Sequence, residues 1–419
     1  MAICPGIYHL AEARDGLLAR VRLPGGRITP AGLFALAEAS ERHGNGAIDL
    51  TNRANIQVRG LKPESADQFA RELTTVGIAT ENPARDRLRN ILASPIAGIA
   101  PDEVLDVSPL VDALDHALLT ANGLDQLSPK FAFLFDGGDA TGVGSLAYDA
   151  GFLAERSLAG TLFRLGLANQ ATDWVVSPEN VISIALALAW LAADHNARMA
   201  DLVTSMGVDD ILARSSRDQL TQIDRPDESR RATRGAPLGR LPECGAIAAG
   251  FAETPPTASA LRAIGQFAIN AGASSIRVTP WRSLVIAGLT PAAADAALAL
   301  AVELGLATKP SAVETIACVG ARGCLRTRFN TEAAAEAVRA LNQGWTGGKR
   351  SIHVSGCERG CARPGRADLL VIGRDGGAGI ELHRRTTAGD AGPETLIRET
   401  GPAAADIAED VCEALNVGS

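Results

Sequence analysis

Four cysteines in the last quarter of the chain are spaced to hold an iron–sulfur cluster. Cys318 and Cys324 form a C-x5-C pair, and Cys357 and Cys361 form a C-x3-C pair. Four thiolates are the ligand set of a 4Fe–4S cluster. Structural zinc also takes four cysteines, but its pairs are usually only two to four residues apart. The spacing and the glycines that flank the thiols favour the cluster, and they leave zinc or unligated core thiols as alternatives.

The other residues with metal-binding chemistry show no comparable pattern. Cys4, Cys244 and Cys412 occur singly, and we predict no site role for them. No two of the six histidines have metal-ligand spacing, and only His353 lies near a cluster cysteine. The chain has no G-x-G-x-x-G fingerprint, so we expect a separate electron donor or reductase rather than bound NAD(P)H.

The composition excludes several classes of function. The 419 residues carry 40 basic and 48 acidic side chains, a net charge of −8, which argues against a nucleic-acid partner. The longest apolar stretch, 181–193, is too short to cross a membrane and is typical of a buried helix. The N-terminal residues do not resemble a signal peptide, and we expect a cytoplasmic protein.

The chain contains an internal repeat that supplies the elements around these residues. LTNRANIQVRGL (50–61) and VTPWRSLVIAGL (278–289) align without gaps at an offset of 228 residues. Each segment lies in a predicted order of strand, helix, strand and helix, which indicates a duplicated α+β fold. The predicted strands are 17–23 and 246–251, and the predicted helices are 30–43, 65–76, 257–271 and 291–304.

The predicted domains follow from this repeat. The expected fold class is α+β, with two ferredoxin-like half-domains that are each followed by an α/β segment. The boundaries are 1–84 and 238–308 for the half-domains, 85–215 and 309–419 for the α/β domains, and 214–237 for a charged linker.

Five motifs in order resemble the sirohaem-dependent sulfite and nitrite reductases over nearly the whole chain. They are RVRLPGGRIT (20–29), LTNRANIQVRG (50–60), RNILASPIAG (89–98), LSPKF (127–131) and SGCERGCARPG (355–365). Within this superfamily the chain most resembles the precorrin-3B synthases of aerobic cobalamin synthesis. It is short, it opens on Cys4-Pro5-Gly6, and Ala132 stands where sulfite reductases have a second active-site lysine.

The resemblance implies an oxygen-dependent monooxygenase that converts precorrin-3A to precorrin-3B. It also implies a 4Fe–4S cluster on the four cysteines and a second iron, either mononuclear or in sirohaem, near the substrate. The implied partners are the tetrapyrrole substrate, O2 and an external electron donor. In the sirohaem relatives the position of Cys361 bridges the cluster and the haem iron.

The resemblance further implies catalytic or anion-binding roles for Arg53, Arg89 and Lys130. Arginine matches a carboxylate with two parallel hydrogen bonds, whereas lysine acts as a point charge. A second group of candidates for substrate binding lies on or beside the predicted strands of the first repeat. It comprises Arg22, Asn55, Gln57 and Arg59, together with Arg20.

Two other functions remain open at this point. A sirohaem-dependent nitrite or sulfite reductase has the same four cysteines and much of the same basic set. An iron–sulfur electron carrier or a zinc-stabilised binding module is the non-enzyme alternative, but a carrier does not need about 400 residues.

Overall fold

The computed structural model describes nine stretches of the chain. They are residues 4–158, 160–215, 217–223, 237–251, 256–347, 349–362, 367–374, 379–385 and 394–416. The strands in these stretches form four sheets, which alternate along the chain between two half-domains and two α/β domains.

The first half-domain is an antiparallel sheet covered by two helices. Its elements are β1 (Ala11–Ala13), β2 (Gly16–Val21), β3 (Arg27–Ile28), α1 (Pro30–His43), β4 (Ile48–Leu50), β5 (Ile56–Leu61) and α2 (Ala66–Thr75). The sheet order is β1-β2-β5-β4. Helix α1 begins at Pro30 because the Thr29 hydroxyl accepts a hydrogen bond from the backbone N–H of Gly32, and proline is favoured in the first helical turn.

The first α/β domain contains a six-stranded sheet. Its elements are α3 (Pro83–Asp86), β6 (Ile91–Ala93), α4 (Ser108–Thr120), β7 (Phe133–Asp136), β8 (Ala150–Ser157), β9 (Gly160–Leu167), β10 (Gln170–Val176), α5 (Val181–Asp194), α6 (Met199–Arg214) and β11 (Leu220–Gln222). Strands β6 to β8 are parallel, and β9 to β11 continue the sheet in antiparallel pairs. Helix α5 is the apolar stretch, and its buried face confirms the predicted buried helix.

The second half-domain repeats the first. Its elements are β12 (Gly239–Leu241), β13 (Ala246–Gly250), α7 (Ala258–Asn270), β14 (Ser275–Val278), β15 (Ser283–Ala287) and α8 (Pro291–Glu303). The offset of 228 residues places Thr29 on Thr257, and the Thr257 hydroxyl caps α7 in the same way. Gly60 and Gly288 are also equivalent, and both have positive φ, 65° and 77°. The structure thus confirms the duplicated α+β fold.

The second α/β domain carries the cluster cysteines. Its elements are β16 (Val313–Ala317), α9 (Thr331–Leu341), β17 (Arg350–Ser355), β18 (Leu369–Gly373), β19 (Ile380–Arg385), β20 (Glu394–Thr400) and α10 (Ala404–Asn416). The sheet order is β16-β17-β18-β19-β20, with the first three strands parallel and the last three antiparallel. The first α/β domain has the same strand pattern with one more antiparallel strand, β11.

The two half-domains share elements and are packed closely together. Strand β3 of the first half pairs with β14 at the edge of the second sheet. Helix α1 packs against α7 at Gly265, where an added Cβ would lie 2.9 Å from the backbone nitrogen of Phe34. The backbone N–H of Ile48 also donates to the carbonyl of Pro256 at 3.2 Å.

The predicted linker needs a correction at its N-terminal end. Residues 217–219 form a 3-10 turn, and β11 pairs with β10, so this part of 214–237 extends the first sheet. Leu220 is buried against the domain core, which gives the segment a reason to fold. Residues 224–236 of the predicted linker lie outside the described residues.

No helix in the described part of the chain is both long enough and apolar enough to cross a membrane.

Candidate active site

A cavity of about 780 Å³ lies where the first half-domain meets the cysteine loops of the second α/β domain. The first half-domain contributes strands β1, β2, β4 and β5 and the turn before β5 to the wall. The loop before β7, the β14–β15 turn, the loops after β16 and β17 and helix α9 also contribute. Its volume lies in the usual range for small-molecule sites.

The lining is strongly basic although the whole chain is acidic. Nine basic and three acidic side chains line the cavity, a surplus of six positive charges. The basic residues are Arg20, Arg53, Arg59, Lys130, Arg282, Arg322, Arg326, Arg339 and Arg359; the acidic ones are Glu12, Asp49 and Glu332. Such a surplus selects for a ligand with several negative groups.

The four cysteines meet at one edge of the second α/β sheet. Strands β16 and β17 are parallel neighbours, so their carboxyl ends lie side by side. Cys318 directly follows β16, and its backbone N–H donates to the carbonyl of Val354 in β17 at 2.9 Å. Cys357 follows β17 and is buried, whereas Cys318, Cys324 and Cys361 line the cavity.

The donors around these thiols fit an anionic iron–sulfur cluster. The backbone N–H of Gly356 donates to the Cys318 sulfur at 3.3 Å, and that of Arg326 donates to the Cys324 sulfur at 3.3 Å. Burial raises the pKa of the Cys361 thiol, and the thiols of Cys318, Cys357 and Cys324 raise it further. Thiols that oppose one another's ionisation become thiolates when a cationic centre binds between them.

In the part of the chain that the structure describes, no three His, Cys, Asp or Glu side chains are arranged around one metal position. A 4Fe–4S cluster differs from a single ion because each cysteine binds its own iron.

Arg59 connects the first half-domain to the first cysteine loop. Its guanidinium donates to both carboxylate oxygens of Asp15 at 2.9 and 2.8 Å, and to Asp49 at 2.9 Å. It also donates to the carbonyl of Gly323 at 2.9 Å. Arg322 donates to the second oxygen of Asp49 at 2.9 Å. We call these five residues the Arg59 network; it fixes the loop that ends at the second cluster cysteine.

Arg53 and Lys130 are neighbours on the cavity wall. The Nη1 of Arg53 donates to the carbonyl of Lys130 at 3.1 Å. The Lys130 loop is further held by Asn90, which donates to the carbonyl of Pro129 at 2.6 Å. Burial, followed by the charges of Arg198 and Arg20, lowers the pKa of Arg53. A guanidinium still keeps its charge at neutral pH, so Arg53 remains a cation, and the side chain of Lys130 is exposed.

Cys4 was predicted to have no site role, but its side chain lines the cavity. The Nη1 of Arg20 donates to the Cys4 sulfur at 3.4 Å, and Arg20 lines the cavity as well. Arg22, by contrast, is 1% exposed and lies behind this pair, with its Nη2 3.8 Å from the same sulfur.

The structure does not bring Arg89 to the cavity. Its guanidinium donates to both carboxylate oxygens of Asp115 at 2.8 and 2.9 Å and to the carbonyl of Ile78 at 3.1 Å. Both partner residues belong to the packing between the first half-domain and α4. Arg89 therefore stabilises the fold at this position.

Only some of the substrate-binding candidates of the first repeat line the cavity. Gln57 and Arg59 both line the cavity, because strand β5 places alternate side chains on one face. Asn55 precedes the strand and turns inward, where its Oδ1 accepts from the backbone N–H of Leu23 at 2.9 Å. His353 is buried within β17, and it does not line the cavity.

The basic residues that the second half of the chain adds to the cavity are not among the predicted site residues. They are Arg282, Arg322, Arg326, Arg339 and Arg359. The sequence does contain a signal for two of them. Arg322 lies between the first two cluster cysteines, and Arg359 lies between the last two. Arg282 is equivalent to Ala54 in the repeat, and the repeat alone predicts no role for it.

Comparisons with known proteins agree with this architecture. Residues 9–76 match the nitrite/sulfite reductase ferredoxin-like half domain. A precorrin-3B synthase from Sinorhizobium sp is 29% identical over 91% of this chain and 82% of that protein. A ferredoxin–nitrite reductase from Synechococcus elongatus is 24% identical over 88% of this chain and 78% of that protein.

Among solved structures, the Mycobacterium tuberculosis NirA protein superposes with a TM-score of 0.81 at 21% identity. The superposition covers 96% of this chain and 80% of NirA, and it supports the fold. The comparisons confirm the resemblance predicted from the sequence: over nearly its whole length the chain is similar to precorrin-3B synthase and, more distantly, to the nitrite reductases.

Proposed function

We propose that the chain is a precorrin-3B synthase, an oxygen-dependent monooxygenase of aerobic cobalamin synthesis. In the proposed reaction one atom of O2 enters precorrin-3A at C20, and a ring-A acetate closes a γ-lactone. The other oxygen atom leaves as water, after uptake of two electrons and two protons from outside the substrate.

The observation that carries this proposal is the position of the cysteines beside a cavity with a surplus of six positive charges. Precorrin-3A is a polycarboxylate tetrapyrrole, so it supplies the negative groups that such a wall selects. Similarity to a precorrin-3B synthase along 91% of the chain supports the same reading.

Each part of the wall has a proposed task. Arg53 and Lys130 bind carboxylates of the macrocycle from one side, with Lys130 free to act as a proton donor because it is exposed and its backbone is held by Arg53. Arg322, Arg326 and Arg359 bind carboxylates from the cysteine side. Gln57 contributes a neutral hydrogen-bonding group between them.

Cys318, Cys324, Cys357 and Cys361 would hold the cluster. When bound, a 4Fe–4S cluster transfers electrons one at a time from an external donor to the site. The N–H groups of Gly356 and Arg326 stabilise the thiolates, and the Arg59 network keeps the first loop in place. Cys361 also faces the cavity, where it is the candidate to contact a second iron, mononuclear or in sirohaem.

A sirohaem-dependent nitrite or sulfite reductase is the second candidate. Two observations favour it. The chain is similar to the Synechococcus elongatus enzyme along 88% of its length, and Arg53 and Lys130 line the same cavity. The position of Ala132 counts against sulfite reduction. Its side chain is 4% exposed, and its backbone N–H donates to Asp149 at 2.8 Å, so it adds no charge to the cavity.

The two candidates are separated by the cofactor content and by the fate of O2. The first experiment is an anaerobic absorption spectrum of freshly purified protein with iron, sulfide and zinc analysis. The second is incubation with precorrin-3A, a chemical or enzymatic electron donor and oxygen-18 gas, followed by mass spectrometry of the product.

A broad iron–sulfur absorbance without a sharp haem band, and one oxygen-18 atom in the product, are the expected results. A sirohaem band, turnover of nitrite or sulfite and no oxygen-18 incorporation would identify a reductase. Zinc without sulfide would overturn both candidates.

A further inference from the structure

The β14–β15 turn carries an arginine where its counterpart in the first repeat carries an alanine. Ala54 and Arg282 are equivalent in the repeat and have the same left-handed backbone, with φ of 54° and 56°. Each backbone N–H donates to the carbonyl of an equivalent threonine, Thr51 at 3.0 Å and Thr279 at 3.2 Å. The turn geometry is therefore a property of the duplicated fold, and the side chain is what differs between the copies.

The backbone of Arg282 is fixed, and its side chain reaches the first cluster loop. Its carbonyl accepts from the backbone N–H of Phe251 at 2.9 Å, which ties the turn to the end of β13. Its Nη1 donates to the carbonyl of Ala317, the residue that precedes Cys318. Arg282 also lines the cavity together with Cys318 and Cys361, so it lies where the proposed cluster site meets the cavity.

The positive charge of Arg282 has no carboxylate partner among the described residues. In the described stretches Arg282 forms no ion pair within 4.0 Å, whereas Asp49, whose charge acts on Arg282, is bonded to Arg59 and Arg322. Burial lowers the pKa of Arg282, and Asp49, Cys318 and Cys361 raise it. Arginine keeps its proton under such conditions.

We propose that Arg282 sets the reduction potential of the cluster and couples that potential to an anionic ligand in the cavity. This inference rests on the proposed iron–sulfur site. Reduction adds one electron, and hence one negative charge, to the cluster, and no bond is made or broken. A nearby cation stabilises the reduced form more than the oxidised form and raises the potential. A ligand carboxylate that pairs with Arg282 neutralises this cation, so ligand binding lowers the potential.

The test is an anaerobic redox titration of the cluster, followed by electron paramagnetic resonance, in the full-length protein with iron and sulfide analysis. Arg282→Gln removes the charge, and Arg282→Lys keeps it. Arg20→Gln is the matched control, because it removes one charge from the same cavity beside Cys4 rather than beside a cluster cysteine.

We expect a more negative midpoint potential in Arg282→Gln, and potentials near the wild-type value in Arg282→Lys and Arg20→Gln. Addition of uroporphyrin, an octacarboxylate tetrapyrrole, is expected to lower the potential of the wild-type protein and to leave that of Arg282→Gln unchanged. A wild-type potential in a fully loaded Arg282→Gln protein overturns the inference.

Two further outcomes are also decisive. If Arg282→Gln loses the cluster, Arg282→Lys settles the case: full iron at the wild-type potential supports a role of the charge. Equal loss of iron in Arg282→Lys overturns that role, because the cluster then requires the guanidinium hydrogen bond to the Ala317 carbonyl and not the positive charge. A wild-type protein without iron and sulfide overturns the proposed function itself, which is distinct from failure of this inference.

Discussion

The replacement Arg59→Met tests whether the Arg59 network holds the first cysteine loop. The guanidinium is 3% exposed, and its loss leaves Asp15 and Asp49 without their main partner. Removal of one partner from a buried ion pair typically costs about 3–5 kcal/mol. The two carboxylates are 15% and 17% exposed, and Asp49 keeps Arg322, so we expect the lower limit, about 3 kcal/mol.

The assay is urea unfolding of the cluster-free proteins, followed by circular dichroism, so that lost cluster does not add to the difference. The loaded proteins are compared by their iron and sulfide content, which we expect to fall in Arg59→Met because Gly323 lies between two cluster cysteines. Arg42→Met is the control. Arg42 is 53% exposed and pairs with Glu72, so its loss should cost less than about 1 kcal/mol.

The pH dependence gives this prediction a second, independent readout. Burial raises the pKa of Asp15, but the hydrogen bonds and charge of Arg59 outweigh burial and hold the pKa below its ordinary value of 3.8. The ion pair therefore contributes its full stability above this pH and loses it as the pH falls through the depressed pKa. The difference between wild type and Arg59→Met should be widest at neutral pH and narrow in acid. A variant that unfolds at the wild-type urea concentration and keeps a full cluster would refute the reasoning.

Three further predictions follow from the cysteines, the ion pairs and the helix packing. Cys318→Ser should lose cluster iron, measured by metal and sulfide analysis, whereas Cys244→Ser should retain it because Cys244 does not line the cavity. Arg89→Met should lower the free energy of unfolding by about 3 kcal/mol in urea titration, because it leaves the carboxylate of Asp115 unpaired. Gly265→Ala should destabilise by about 1–3 kcal/mol in the same assay, because the new Cβ overlaps the backbone of α1.

Gly344→Ala is the matched control for Gly265→Ala. Gly344→Ala adds a methyl group with no atom within 4 Å, so it should leave stability nearly unchanged. Wild-type stability of Gly265→Ala would show that α1 and α7 can separate without cost. Retention of a full cluster by Cys318→Ser would remove that residue from the ligand set, and unchanged stability of Arg89→Met would reopen a purely functional role for Arg89.

The sequence predicted the elements well where local signals decide them. Threonine caps at equivalent positions define the starts of α1 and α7, and Gly60 and Gly288 mark the same backbone turn in both repeats. The cysteine pairs were informative because each follows a parallel strand, and such strand ends meet at one edge of a sheet.

The prediction of individual arginines was less successful because their partners are distant in sequence. Arg89 binds Asp115, which lies 26 positions away, and Arg59 binds the loop at Gly323, which lies 264 positions away. Asn55 alternates with Gln57 and Arg59 in the sequence, but β5 begins only at Ile56 and Ala54 has positive φ, so Asn55 does not share their face. The roles of Arg53 and Lys130 stay predictions, and the structure adds that both line the cavity.

Because β3 of the first half-domain pairs in the sheet of the second, the two half-domains cannot be separated without disrupting that sheet. A cut between the two copies would leave β14 with an unpaired edge in one fragment and a displaced strand in the other. The apolar contact between α1 and α7 would also be opened to water. The two copies therefore form one folding unit, even though only the second is followed by the cluster cysteines.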